Sequence, residues 1–219
     1  MNIEFEIDGQ KYKSFDEEDV ILMEEISSHI KENFTSNKFS LPNFNTKIEV
    51  GELIDDAYCQ EFVNMIDENI GDLYERHKGK DWREEKMIEL EEPGLIFIWL
   101  TNFKDVIIAY LSFKLCLDDD DVLVLYLFEI HILKEYQNQK IGQQLIDEFH
   151  NLVLSLKNSS NKLYQNLKGS ALTVFADNEI ALNWYQNMGY ALTRNSPKNK
   201  ILRNQKVIKP SYYLMRKSI

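Results

Sequence analysis

Cysteine is nearly absent: Cys59 and Cys116 are the only two, with no CxxC and no His/Cys cluster at metal spacing. That scarcity suits a reducing compartment and gives no support for structural zinc, so no metal is expected. No apolar run approaches the length of a membrane span. The opening MNIEFEIDGQ lacks the basic region and apolar stretch of a secretory signal. Positive charge is also short, with 25 Lys and Arg against 36 Asp and Glu, for a formal net charge of −11. This argues against general affinity for nucleic acid or an anionic membrane and suits a basic peptide or protein instead. Two phosphate signatures are missing as well, the P-loop GxxxxGK[ST] and the dinucleotide fingerprint GxGxxG. No internal repeat is found. What remains is a chain of 219 residues, 44% hydrophobic, long enough for one domain with a substantial core. The expected location is nucleus and cytoplasm.

Periodicity divides the chain. Residues 1–48 read as an N-terminal extension, partly helical, bracing the domain at 49–219. Within the extension, Asp16 to Phe34 places Val20, Met23, Ile26 and Ile30 on one helical face, and TSNKFSLPNFNTK (35–47) reads as a loop. A helix starts near Asp55 with Phe62, Met65, Ile66, Ile70 and Leu73 as its apolar stripe; Gly71 weakens it and Gly79 ends it. A short charged helix spans about Arg83 to Leu90. After the break at Glu92 to Gly94, LIFIWLTN, DVIIAYLSFKLCL and DVLVLYLFEIHIL are strand-like, with turns at Asn102 to Asp105 and Asp118 to Asp121. A helix follows from Gly142 to about Lys157, then a polar segment, the strand ALTVFAD, a helix stopped at Gly189 and a last strand in PSYYLMRK. Strands packed with amphipathic helices imply a mixed α/β (α+β) sandwich.

Between strand and helix lies a loop rich in side-chain amides, Gln137, Asn138, Gln139, Lys140, Ile141, Gly142 and Gln143. A strand turning tightly into a helix exposes the first helical N–H groups and the positive end of the macrodipole, which suit a phosphate or pyrophosphate. An ordinary surface connection is the bland alternative. Downstream, NEIALNWYQNMGY carries Asn178, Ala181, Trp184, Tyr185, Gly189 and Tyr190. Together with Gln137-x-x-Lys140-x-Gly142 it resembles the GNAT superfamily of N-acetyltransferases, over roughly Ile96 to Lys217. Lys140 stands where that family's loop has its first glycine.

The resemblance implies a GNAT fold, with a central mixed, mostly antiparallel sheet flanked by helices, and acetyl-CoA as co-substrate. It implies that the backbone of Ile130, His131 and Ile132 lies along the pantetheine and that 137–143 hold the pyrophosphate. Asn178 would bond the pantetheine arm, and Tyr185 would lie near the thioester sulfur. Asn178 reads equally as a helix N-cap, and Tyr185 as core.

Upstream stretches are similar to the NatD family, which acetylates the Ser-Gly-Arg-Gly amino termini of histone H4 and histone 2A. The matches are Tyr74 to Leu90, Tyr126-Leu127-Phe128-Glu129, Leu172 to Phe175 with Asn178, Ser196-Pro197 and Ser211-Tyr212. Phe128 replaces an expected tyrosine, and Cys116 an acidic residue. From the residues alone, Glu129 is the candidate general base, acting through water and tuned by the apolar strand around it, and Tyr185 or solvent protonates the leaving thiolate. A charge paired with His131 is the alternative for Glu129. Strand alternation puts Glu129 on the face opposite Tyr126 and Phe128 unless a bulge intervenes. Tyr74, Trp82, Tyr126 and Tyr212 would wall the acceptor pocket, with Trp82 facing the opening. Cys116, Phe128, Thr173 and Asn195 would line it, and Asp118 would bind the acceptor's arginine. The partners implied are histone tails met by a monomer. Other acceptors (lysine, another N terminus, a polyamine), or acetyl-CoA or histone binding without catalysis, stand as alternatives.

Overall fold

The computed structural model describes residues 1–36 and 38–219. Its chain order is β1 (Asn2–Ile7), β2 (Gln10–Ser14), α1 (Val20–Phe34), β3 (Asn45–Val50), α2 (Asp56–Lys78), α3 (Trp82–Leu90) and β4 (Ile96–Thr101). Then come β5 (Ile107–Leu117), β6 (Leu123–Ile132), α4 (Ile141–Lys157), β7 (Gly169–Phe175), α5 (Glu179–Asn187), β8 (Ala191–Leu192), β9 (Lys200–Ile201), β10 (Val207–Ile208) and β11 (Tyr212–Ser218).

Seven strands form the central sheet in the order β3-β4-β5-β6-β7-β11-β8. Every neighbouring pair is antiparallel except β6 and β7. This is the expected mixed, mostly antiparallel sheet. β4 is buried at all six positions, which is why it reads as a continuous apolar run: helices cover both faces. Ile96, Ile98 and Leu100 join the core with α1, α4 and α5, whereas Phe97, Trp99 and Tyr110 pack under α2 and α3.

The first residues differ from their reading. β1 and β2 form a hairpin whose turn uses left-handed Asp8 and Gly9, and Phe5, Ile7 and Phe15 enter the main core. β3 runs across residue 48 and pairs with β4 along its length. In α1, Leu22, Met23, Ile26 and Ile30 are buried while Val20 is 49% exposed; capping by Asp19 sets Val20 at the solvent-facing start of the helix. Asn37, within the expected loop at 35–47, lies outside the described residues. The stop at Gly79 is present, with the glycine at φ +96. Near Gly71, α2 kinks at Ile70, whose φ and ψ are −143° and 20°.

Candidate active site

The parallel ladder between β6 and β7 is short. Leu125, Tyr126 and Leu127 pair with Ser170, Ala171 and Leu172, and the pairing stops there. Beyond it β6 continues on β5 and β7 continues on β11, so the two strands part and leave a cleft in the middle of the sheet. At the same level the β5–β6 register shifts: Ser112 faces Glu129, and Phe113 faces Leu127. Phe128 is therefore the extra residue of a bulge, which reverses the alternation after it. Glu129, His131 and Leu133 consequently share the α2/α3 face with Tyr126 and Phe128.

Glu129 is 7% exposed and has three partners, two on one oxygen and one on the other. Its Oε1 accepts from the Tyr74 hydroxyl at 2.8 Å and from Lys86 Nζ at 2.7 Å, and its Oε2 lies 2.7 Å from His131 Nε2. Burial alone would raise its pKa, but the Lys86 ammonium and the His131 hydrogen bond outweigh burial and hold the carboxyl well below the usual range. The expected tuning by the apolar strand is thus reversed, because charge partners dominate desolvation. Lys86 is raised: burial opposes its charge, while Glu129 and Glu89 favour it. Tyr74 is raised by burial and by the Glu129 charge, so its hydroxyl remains a donor.

Around this centre Tyr74 stacks on Trp82, ring centres 4.6 Å apart, and meets Phe175 edge-on at 5.0 Å. Tyr126 is hydrogen-bonded to Thr173 and packs against Phe128 at 5.5 Å. Thr173 is exposed although it lies in an inner strand, which marks the open part of the cleft. Tyr212 is 42% exposed and pairs with Phe175 across β7 and β11, so both side chains leave the same face. Cys116 sits under Tyr126 in a small buried cluster, its thiol pushed by burial up to about 12.

Three expectations are corrected. Trp82 does not face the opening: it is 3% exposed, because the first position of α3 turns it inward beneath Tyr74. Asp118 is not free for an acceptor arginine, since its carboxylate already binds Arg216 and the N–H groups of Asp120 and Val122. Asn195 is drawn to the same turn, donating to the Asp119 carbonyl at 2.7 Å. That turn lies at the far end of β6, about 20 Å from Glu129 at ~3.3 Å per residue.

At the other end of β6 the amide loop has a specific shape. Asn138 and Lys140 both adopt left-handed conformations, at φ 60° and 64°. Lys140 is the N-cap of α4 but offers it no side-chain hydrogen bond. By contrast Asp19, Asp55 and Asn178 cap α1, α2 and α5. The first N–H groups of α4, at Ile141, Gly142 and Gln143, are thus left for an anion. A Cβ on Gly142 would stand 3.1 Å from Ile132 Cδ1, so glycine lets the helix start close against the strand. Gln137 turns its amide inward instead, donating to the Ile132 carbonyl at 3.0 Å and to Asn69 Oδ1 at 3.1 Å. Asn69 also donates to that carbonyl at 3.0 Å. The Ile132 oxygen is therefore already doubly bonded, which limits the backbone pairing expected of it. Asn178 realises its capping role, its oxygen accepting from Ala181 N–H at 3.2 Å. Tyr185 is 8% exposed, and burial, Tyr190 and Glu129 all raise its pKa, so it stays protonated.

Two residues were missed. Lys86 left a trace, since Trp82, Lys86 and Leu90 recur every four residues and so place a lysine in the buried stripe of α3. Asn69 left none, because its partners become neighbours only when α2 packs beside the end of β6.

Comparison with known proteins agrees with this geometry. A model of the acetyltransferase (GNAT) family matches residues 59–190. The chain belongs to that family. It is similar to N-alpha-acetyltransferase 40 of Saccharomyces cerevisiae, 28% identical over an alignment of 158 positions that covers 65% of this chain and 54% of that protein. The chain thus spans about half the length of this relative. Among solved structures it resembles PH1933 of Pyrococcus horikoshii OT3, with a TM-score of 0.54, 16% identity, and coverage of 80% of this chain and 99% of that one. Arabidopsis thaliana NAA60 in complex with a bisubstrate analogue gives a TM-score of 0.53, 13% identity and coverage of 80% and 99%. The PaiA N-acetyltransferase of Thermoplasma acidophilum in complex with coenzyme A gives 0.51, 13%, and 80% and 99%. These structures share the fold.

Proposed function

We propose that the chain is an N-alpha-acetyltransferase that transfers acetyl directly from acetyl-CoA to the terminal amine of Ser-Gly-Arg-Gly tails of histone H4 and histone 2A. One observation carries the reading: the bulge at Phe128 turns an ionised carboxylate, Glu129, to the face of the sheet where β6 and β7 part. The likeness to N-alpha-acetyltransferase 40 supports it. As part of the same reading, the protein works as a monomer in nucleus and cytoplasm, and the residues before β3 brace the domain.

The chain's own groups fit acetyl-CoA. The uncapped start of α4, with left-handed Asn138 and Lys140, suits the pyrophosphate, and the free edge of β6 at Ile130 and His131 suits the pantetheine amides. Acetyl-CoA supplies an activated thioester. Glu129 accepts the proton of the attacking amine, directly or through water, as the new C–N bond forms and the C–S bond breaks. Tyr185, held protonated, donates to the departing sulfur. Tyr74, Tyr126, Phe128, Thr173 and Tyr212 bound the space for a small terminal residue.

A second reading has a different acceptor, and one observation favours it: Asp118, the carboxylate expected to bind the acceptor's arginine, is spent on Arg216. A panel of Ser-Gly-Arg-Gly-Lys, its Arg→Ala version, an unrelated N terminus and spermidine, read by mass, decides between them. The proposal expects the first to be acetylated at its α-amine at least 10-fold faster than the rest. Preference for any other acceptor overturns it.

A further inference from the structure

Lys86 is 4% exposed, in the apolar stripe of α3 between Trp82 and Leu90. A lysine is almost never buried so deeply unless paired. Here it lies between two carboxylates, Glu129 at 2.7 Å and Glu89, with its ammonium 5.1 Å from the centre of the Tyr74 ring. Every element around Glu129 presents a group to it. Tyr74 comes from α2, Lys86 and Glu89 from α3, and His131 from β6 itself. From β5, Ser112 stands opposite in the ladder and Tyr110 stacks on His131, while Tyr185 of α5 feels the Glu129 charge. Lys86 is the group of this set whose positive charge is fixed across the neutral range. A carboxylate this buried, left without it, would reprotonate rather than stay charged.

We propose, resting on the acetyltransferase reading above, that Lys86 is a positioning residue that keeps Glu129 ionised and aimed, so that the base stays charged throughout the acidic side of the working range. It touches neither the acceptor nor the thioester and acts through the Glu129 carboxylate. Glu89 supports it from the far side, one helical turn along α3. The Lys86 ammonium also packs on the Tyr74 ring, so Lys86 both donates to Glu129 Oε1 and holds the second donor in place. Without it, desolvation of Glu129 prevails and the base is protonated when the amine arrives.

The test is the pH profile of kcat/KM for acetyl transfer to Ser-Gly-Arg-Gly-Lys by wild type, Lys86→Met and Lys86→Arg. In wild type the acidic limb is that of the acceptor amine; in Lys86→Met protonation of Glu129 moves it up by about one pH unit or more. Activity at pH 6 then falls on the order of 10-fold or more but recovers toward wild type near pH 9, where Glu129 ionises again. Lys86→Arg keeps the wild-type limb. An acidic limb that does not move, or an equal loss at every pH, overturns the proposal.

Thermal unfolding provides a readout independent of turnover. Lys86→Met lowers Tm by leaving Glu129 buried without its cation, and adding Glu129→Gln restores much of the loss. A double variant no more stable than Lys86→Met also overturns it. Should wild type fail to acetylate any acceptor, the acetyltransferase reading fails while the unfolding cycle still decides whether the pair is coupled.

Discussion

The Tyr74 hydroxyl links the kinked end of α2 to Glu129. Tyr74→Phe removes that one donor and keeps the stack on Trp82. Activity should fall about 10-fold with unchanged KM for acetyl-CoA, as expected for loss of a single hydrogen bond to a charged group. Steady-state kinetics check this; a change confined to the acetyl-CoA KM would contradict it. A second residue acts on stability. His150 of α4 is hydrogen-bonded to Tyr190 at 3.0 Å, and burial and Lys217 lower its pKa to about 4. Unfolded, it titrates near 6.5, so between about pH 6.5 and 4 the unfolded state binds more protons. Its contribution is present above 6.5 and is lost as pH falls to 4. The full shift corresponds to about 3 kcal/mol, reduced to roughly 1–2 kcal/mol because the ring is only partly shielded from solvent. Chemical unfolding of wild type and His150→Leu should show their stability difference changing by that amount across this window. Parallel curves would contradict the assignment.

At the level of elements, the start of α4 combines two features that sequence separates. Lys140 occupies the family's glycine position and adopts φ 64°, a conformation that costs a side chain about 1 kcal/mol. Lys140→Gly should therefore raise stability by up to about 1 kcal/mol while weakening acetyl-CoA binding several-fold through loss of the charge. Calorimetric titration and unfolding of the same variant test both halves. Tighter binding would show that the lysine hinders the phosphate site. Long elements were legible because their burial is regular: the α2 stripe as far as Ile66, the runs of β4 to β6 and the stops at Gly79 and Gly189 appear where periodicity places them, while Ile70 and Leu73, at and beyond the kink, are only half-buried. The β1–β2 hairpin carried the signal Asp8-Gly9 between strand-like residues, but a mostly polar five-residue β2 hid it. β8, β9 and β10 have two residues each, too few for any period. Residues of the site were legible by type, but not their partners. Glu129 stood out as a carboxylate in an apolar strand. Its side of the sheet depended on a bulge, and its ionisation on Lys86, 43 residues away in sequence. Asp118 was misread for the same reason, since Arg216 is 98 residues distant.

For the whole molecule, the net charge of −11 is a long-range field as well as a local one. It should speed encounter with a basic tail and be screened by salt. Raising ionic strength from about 0.05 to 0.5 M, where the Debye length falls from roughly 14 to 4 Å, should raise the peptide KM several-fold with little change in kcat. A neutral peptide with the same first residue should be insensitive; equal salt effects on both would place the charge outside recognition. The central claim is that a free terminal amine meets Glu129 in the cleft between β6 and β7. It is tested most directly by thiol release from acetyl-CoA with Ser-Gly-Arg-Gly-Lys, free or blocked at its N terminus, using wild type and Glu129→Gln. The account predicts turnover with the free terminus alone, reduced at least 100-fold in the variant. Equal turnover of the blocked peptide would make lysine the acceptor, and a fully active variant would remove Glu129 from the chemistry.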